Sequence, residues 1–222
     1  MRIHEIQNHI KVLHPEWVPQ DEIYRKAVSN RVNSDSVILD VGCGHSDSMC
    51  EIYSKGKKVI GQDIDEEAIL KHPCLDERII GDLGELNKLA NGTINVITCR
   101  WVLEHLENPD KLFEQLKRLL SSDGVFVALT PNKNSLVSLV SRLVPNMLHQ
   151  GIVKRFWGRP EEDTYPAFYK LNSIKDIHKY CDKYGLEIIS IKYLRDPSYY
   201  TTKFQKVNFI YDLHQKLIKD SM

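Results

Sequence analysis

Val37-Ile38-Leu39-Asp40-Val41-Gly42-Cys43-Gly44-His45-Ser46 is the stretch whose reading decides the fold. Its first half is a continuous apolar run broken by one acid, the pattern of a strand covered on both faces in a parallel sheet. Its second half places two glycines and a serine in a turn, and Asp47-Ser48-Met49-Cys50-Glu51-Ile52-Tyr53 then opens a helical period. Strand, small-residue turn and helix N-terminus together bring backbone close to a nucleotide. Gly42 and Gly44 matter because a Cβ at either would stand between main chain and ligand. A tight turn with no ligand is the plainer alternative, and a lone Gly-x-Gly does not decide between them.

The next strand shifts the balance. Lys58-Val59-Ile60-Gly61-Gln62 ends in Asp63, followed by Ile64 and the acidic helix start Asp65-Glu66-Glu67. An acid at the tip of the second strand, about twenty residues after the glycines, is placed to accept hydrogen bonds from a ribose diol. That spacing suits a nicotinamide dinucleotide and an adenosine ligand alike. The dinucleotide fingerprint wants a third glycine where Asp47 stands, and an acid beside a pyrophosphate is electrostatically wrong.

Together these segments resemble the class I S-adenosylmethionine-dependent methyltransferases, of the type 11 or ubiquinone-biosynthesis kind. Asp40 to Ser46 looks like their first motif and Gly61 to Asp65 like their ribose-binding segment. Arg78-Ile79-Ile80-Gly81-Asp82-Leu83 resembles the third strand, whose acid sits by the adenine amino group. Asn95 to Leu106 resembles the fourth strand with its Leu-Glu-His signature, and Ser121 to Asn132 the fifth with its leading turn. Two departures stand out: Ser46 where many members have glycine, and Ser121-Ser122-Asp123-Gly124 for the usual Lys-Pro-Gly-Gly. The resemblance implies S-adenosylmethionine as cofactor, held by Asp40, Gly42, Cys43, Gly44, Asp63, Ile64, Asp82, Leu83 and Arg100.

Composition fits that class. The chain has 222 residues, 42% hydrophobic and 27% charged, with a net charge of zero, which argues against a general nucleic-acid binder. Residues 1–139 carry 16 Lys and Arg against 21 Asp and Glu, and residues 140–222 carry 14 against 9, so the last third is mildly basic. Cys43, Cys50, Cys74, Cys99 and Cys181 form no CxxC pair and read as reduced thiols, with neither a disulfide frame nor a metal site. No apolar stretch has the length of a membrane span and the N-terminus lacks a signal-peptide core, so a cytoplasmic protein is expected.

The regular alternation predicts strands near 37–41, 57–62, 78–81, 94–99 and 124–130 with helices between. This is an α/β, doubly wound, mostly parallel Rossmann-like sheet with helices on both faces. One domain is expected over 1–222: a helical cap (1–36), a cofactor-binding core (37–132), an acceptor-side insertion after strand five (133–172), and a closing segment (173–222). That closing segment is read as a helix, a sixth strand over Leu186 to Leu194 and a terminal helix, with no convincing seventh strand. Right-handed crossovers bring Asp40, Asp63, Asp82 and Arg100 to one sheet edge, although Asp40 and Asp82 are also plausible helix caps.

A sulfonium methyl is intrinsically electrophilic, so the protein chiefly positions an acceptor and excludes water. An oxygen acceptor must also lose a proton, and His105, after the fourth strand and preceded by Glu104, is the candidate base; a packing role for His105 is the alternative. Arg155, Trp157 and Arg159 in the insertion are the candidate acceptor contacts. Beside the apolar face at Leu136, Val137, Leu139, Val140, Leu143 and Val144, they suit a small-molecule, lipid-linked or glycan acceptor, with peripheral membrane contact. O-methylation is the expected reaction. A nicotinamide-linked dehydrogenase and a non-catalytic cofactor-binding module are the alternatives, and the oligomeric state is not legible.

Overall fold

Five strands, β1 (Val37–Val41), β2 (Lys58–Asp63), β3 (Glu77–Ile80), β4 (Ile94–Arg100) and β5 (Leu120–Leu129), pair in the order β3-β2-β1-β4-β5, every neighbour parallel. The computed structural model describes residues 11–12, 15–135, 138 and 165–194. The sheet belongs to a compact unit formed by residues 21–130 and 169–190. A second unit takes 1–20, 131–168 and 191–222; within it the Ser135 hydroxyl accepts the Ser138 N–H at 3.1 Å, capping a helical turn. The sequence helix over 136–144 and the terminal helix over 199–219 lie otherwise outside the described residues.

The central strands are apolar because both faces are covered. Ile38, Leu39, Val41, Val59, Ile60, Val96, Ile97 and Cys99 are all buried. Helix α1 (Gln20–Ser29) turns Tyr24 and Val28 inward, one helical turn apart. Short helices α2 (Cys50–Tyr53) and α3 (Glu66–Lys71) follow β1 and β2, the second capped by Asp65, whose carboxylate accepts the Ala68 N–H. Helix α4 (Pro109–Leu119) starts with Asn108 as cap and proline in its first turn, and buries Leu112, Phe113, Leu116 and Leu119. Helix α5 (Ile174–Tyr184) is capped by Ser173 and ends at Gly185 in the left-handed conformation, φ +69°. It packs on α4 through Phe113 and Tyr180, with ring centroids 5.2 Å apart.

Three expectations change. The turn read at Ser121–Gly124 lies inside β5 as a bulge: Ile94 pairs with Leu120 and Val96 with Val125, so four residues of β5 face Asn95 alone. Asn95 holds the irregularity, accepting the Val37 N–H at 2.8 Å and reaching the Ser121 hydroxyl at 3.4 Å. The expected sixth strand does not form: residues 186–194 are irregular, and the outer edge of β5 has no partner among the described residues. Cys50 and Cys74 are joined in a disulfide, against the expectation of reduced thiols throughout, while Cys43, Cys99 and Cys181 are buried free thiols. Successive right-handed crossovers in one direction lay α2 and α3 side by side on one face, which a separation of 24 residues does not announce.

Arg118 closes the stretch between β3 and β4. Its guanidinium donates to the carbonyls of Leu86 and Leu89, both at 2.7 Å, and to Asn91 Oδ1 at 2.8 Å. Arg118→Ala is expected to lower unfolding free energy by about 1.5–3 kcal/mol, the scale of hydrogen bonds to a charged group. Urea unfolding measures it, and a change under about 0.5 kcal/mol, the range of an ordinary surface substitution, would show the clamp to be incidental.

Candidate functional site

The strand order reverses between β1 and β4, and the crevice at their carboxyl ends is where open α/β sheets take ligands. The turn after β1 forms one wall. Gly42 and Gly44 both adopt positive φ, +66° and +57°, which side-chain-bearing residues rarely tolerate. The Gly42 and Cys43 N–H groups donate to the Gln62 carbonyl at 2.7 and 3.1 Å, and the Gln62 side chain donates to the Gly81 carbonyl at 2.6 Å. One residue of β2 thereby joins the tips of three strands.

The two glycines serve different ends. A Cβ at Gly42 would lie 2.2 Å from Cγ2 of Val102, so the close neighbour is the segment after β4 and not a ligand, which corrects the sequence-based reason. A Cβ at Gly44 would meet nothing within 4 Å among the described residues, which leaves open space there on that side of the turn. The Asp63 carboxylate fixes this open turn, accepting the Gly44 N–H at 2.7 Å through Oδ2 and the Asp65 N–H at 2.9 Å through Oδ1. Each oxygen keeps a second lone pair for a ligand hydroxyl. Ile64 beside it is 60% exposed, an apolar surface at the rim. Cys43 turns the other way: its Sγ would lie 2.9 Å from a Cβ at Gly61, so only its backbone faces the crevice. Burial, then Asp40 and Asp63, push the Cys43 thiol well up, which keeps it protonated and unreactive.

Asp40 is buried at the end of β1 and accepts from the Thr98 hydroxyl at 3.0 Å, with the Tyr53 hydroxyl 2.8 Å from that of Thr98. Burial pushes its carboxyl up to about 6, against the pull of the Tyr53 and Thr98 hydroxyls and of Arg100. Tyr24 lies close enough to Asp40 and Arg100 to feel both charges, and its buried hydroxyl sits by the Cys99 backbone without a well-formed hydrogen bond. Arg100 donates to the Ser48 hydroxyl at 2.7 Å, with longer contacts of 3.4 Å to Ser46 and Asp21. Trp101 follows in the left-handed region at φ +61°, a strained conformation of the kind that gathers at functional sites.

Past Trp101, a 3₁₀ turn over Leu103–His105 carries the signature pair. Glu104 is buried, and its carboxylate accepts from the Thr130 hydroxyl at 3.0 Å, which in turn accepts from Asn172 at 2.6 Å. His105 Nε2 lies 4.0 Å from Glu104 Oε1. Burial raises the Glu104 carboxyl, and its own backbone N–H, His105 and Thr130 draw it back. On the far side of β2, Asp82 caps Gly84 at 2.8 Å and pairs with Lys111 at 3.1 Å, while Leu83 is buried in the core. Arg155, Trp157 and Arg159 lie outside the described residues. The network of Tyr53, Thr98 and Gln62 was not singled out in the sequence; a polar residue inside the apolar runs of β2 and β4 was its only signal.

A carboxylate-anchored glycine turn at the switch point of a parallel sheet defines a doubly wound α/β domain of the nucleoside-binding class. The chain belongs to the methyltransferase domain family, whose model matches residues 20–191. It is 30% identical over 121 residues to a probable S-adenosylmethionine-dependent methyltransferase of Mycolicibacterium smegmatis, covering 53% of this chain and 46% of that protein. It thus spans about half the length of that curated relative. A ubiquinone biosynthesis O-methyltransferase of Azoarcus sp. is 23% identical over 208 residues, 84% of each chain. In fold, the chain is similar to a SAM-dependent methyltransferase from Archaeoglobus fulgidus, with a TM-score of 0.57, 17% identity and coverage of 93% and 91%.

The buried acid makes a prediction about pH. The folded pKa of Asp40, about 6, exceeds its ordinary 3.8, so the folded state holds this proton more tightly. Its contribution to stability therefore falls as pH rises between those values and is level above them. Asp40→Asn is expected to remove that decline and to raise unfolding free energy at pH 7 by about 1–3 kcal/mol. Urea unfolding from pH 4 to 7 reads both effects, and a variant profile parallel to wild type would assign the proton elsewhere.

Proposed function

We propose that the chain is an S-adenosylmethionine-dependent methyltransferase acting in the cytoplasm on an oxygen of a small-molecule, lipid-linked or glycan acceptor. The observation that carries this reading is the Gly44 turn, open on its outer side and anchored by an Asp63 carboxylate with lone pairs to spare. The cofactor would supply a methyl group already activated on a sulfonium. Asp63 would accept from the ribose hydroxyls, and Ile64 would give the adenine an apolar surface. Asp40 and Arg100 would set the charge beneath the crevice. Asp82 and Leu83 would serve the adenine end, Asp82 while capping its own turn.

His105 would take the acceptor's proton, and Glu104, 4.0 Å behind it, would hold the ring and stabilise the imidazolium that forms. Oxygen as the acceptor atom is supported by the likeness to proteins named O-methyltransferases, at 23% identity in Azoarcus sp. and 30% over 116 residues in Schizosaccharomyces pombe. Arg155, Trp157 and Arg159 remain the proposed acceptor contacts. Family membership favours this reading over the dehydrogenase, and labelled-methyl transfer is what separates it from a non-catalytic cofactor-binding module. No helix among the described residues is long and apolar enough to cross a membrane, so contact with a lipid-linked acceptor would be peripheral.

Calorimetry with S-adenosylmethionine and its demethylated product tests the cofactor. Asp63→Ala is expected to weaken both by about 1.5–3 kcal/mol. A folded variant that bound as well as wild type would remove Asp63 from the site, and binding of a nicotinamide dinucleotide instead would replace the proposal. Transfer of labelled methyl into a cell extract tests the base. His105→Ala is expected to slow transfer about 10²–10⁴-fold, the range of general-base catalysis, at unchanged cofactor affinity. Undiminished transfer would leave His105 a packing residue.

A further inference from the structure

Away from the crevice, three metal-binding side chains converge where no sequence spacing announces them. Cys50 Sγ, Cys74 Sγ and a ring nitrogen of His72 all lie within 4.8 Å of one another. Cys50 opens α2, His72 follows the last turn of α3, and Cys74 lies two residues further on. The turn carrying the last two is built rigidly. The Arg78 guanidinium donates to the carbonyls of His72 at 2.9 Å, Ile69 at 3.1 Å and Leu75 at 3.3 Å. His72 is buried and cannot swing away, and its Nδ1 accepts the Cys74 N–H at 3.4 Å. That nitrogen therefore directs a lone pair toward the cysteine, whose Sγ stands 3.9 Å from it. Both cysteines are partly exposed, so solvent and a reductant have access.

We propose that Cys50, His72 and Cys74 form a reversible thiol–imidazole centre that, once its disulfide is reduced, binds one thiophilic divalent cation of the zinc class. Reduction by a dithiol breaks the Cys50–Cys74 bond: the dithiol gives up two electrons and two protons and becomes a disulfide itself. The cation then displaces the two thiol protons to solvent, takes the Nδ1 lone pair in place of the long Cys74 N–H contact, and is held by two thiolate sulfurs and His72 Nδ1. Two sulfurs and one nitrogen match the preference of zinc over the oxygen-loving cations, and the fourth position is left to water. Two thiolates on one tetrahedral ion stand about 3.8 Å apart, as zinc–sulfur bonds of ~2.3 Å require, a spread the half-exposed cysteines can reach by side-chain rotation. A reducing cytosol would open this bond, so the oxidised and metal-binding forms belong to different redox conditions. The proposal is independent of the reading of the crevice.

The test uses the full chain, reduced with dithiothreitol, freed of it without oxygen and titrated with cobalt(II). One cobalt per chain is expected, with the visible bands of a four-coordinate ion and a thiolate charge-transfer band, all displaced by zinc. The unreduced chain should show none of these. Cys50→Ser and Cys74→Ser should each remove the two-thiolate spectrum, and both positions, being partly exposed, suit a near-isosteric change. His72→Gln should weaken cobalt binding by more than the roughly tenfold that altering even an outer-shell partner costs. No cobalt uptake by the reduced chain, an unchanged spectrum in either serine variant, or unchanged affinity in His72→Gln would overturn the assignment.

Discussion

A single carboxylate at the tip of β2 holds the backbone on which the rest of the site depends. Asp63 accepts the Gly44 N–H and the Asp65 N–H with its two oxygens, so one side chain orients the turn after β1 and the entry to α3. Ionised carboxylates make hydrogen bonds about twice as strong as neutral acceptors, which suits the task of holding a glycine in the left-handed region. Gln62, its neighbour, binds the start of the same turn through its main chain and the tip of β3 through its side chain. The turn is therefore supported by two consecutive residues of another strand. On its other side a Cβ at Gly44 would meet nothing within 4 Å among the described residues.

The electrostatics of the crevice follow from burial on one wall and exposure on the other. Asp40 is enclosed among Tyr53, Thr98 and Tyr24, and its carboxyl is raised. Arg100 supplies the balancing charge but spends its closest hydrogen bond on Ser48, across the turn. A cationic ligand entering the crevice would favour ionised Asp40 and relieve part of the burial penalty. Pocket and ligand would then stabilise each other, and an empty crevice carries a charge it would sooner neutralise. The strained backbone at Trp101 lies directly before Val102, which packs against Gly42.

The fold was legible because its signals are periodic and local. Apolar runs marked each strand, and Asp65 announced the helix start that it caps. The motif residues Asp40, Gly42, Gly44 and Asp63 stand out because glycines and acids are conspicuous in apolar runs, whereas Arg100 was named through the family resemblance. The reasons behind them were less legible. That Gly42 faces Val102 and that Cys43 turns beneath the turn are facts of packing between distant strands. The bulge opposite Asn95 hid because Ser121–Gly124 has the composition of a turn whether or not strand pairing resumes around it. Cys50 and Cys74 meet only because two crossovers lie on one face, and residues 186–194 are irregular despite their strand-like composition.

The strand order also bears on how the chain closes. Contacts within the β1–β2–β3 half are short-range, as between Asp63 and Gly44, 19 residues apart, whereas Asp40 and Thr98 meet across 58. By loop-closure entropy the longer junction costs about 1 kcal/mol more, a modest but consistent bias toward forming each half before the two are joined. The seam between β1 and β4 is thus the non-local step of assembly, and the crevice runs along it. A molecule bound there touches both halves at once, so its affinity feeds directly into the cohesion of the whole domain. Recognition and folding meet in one line of contacts.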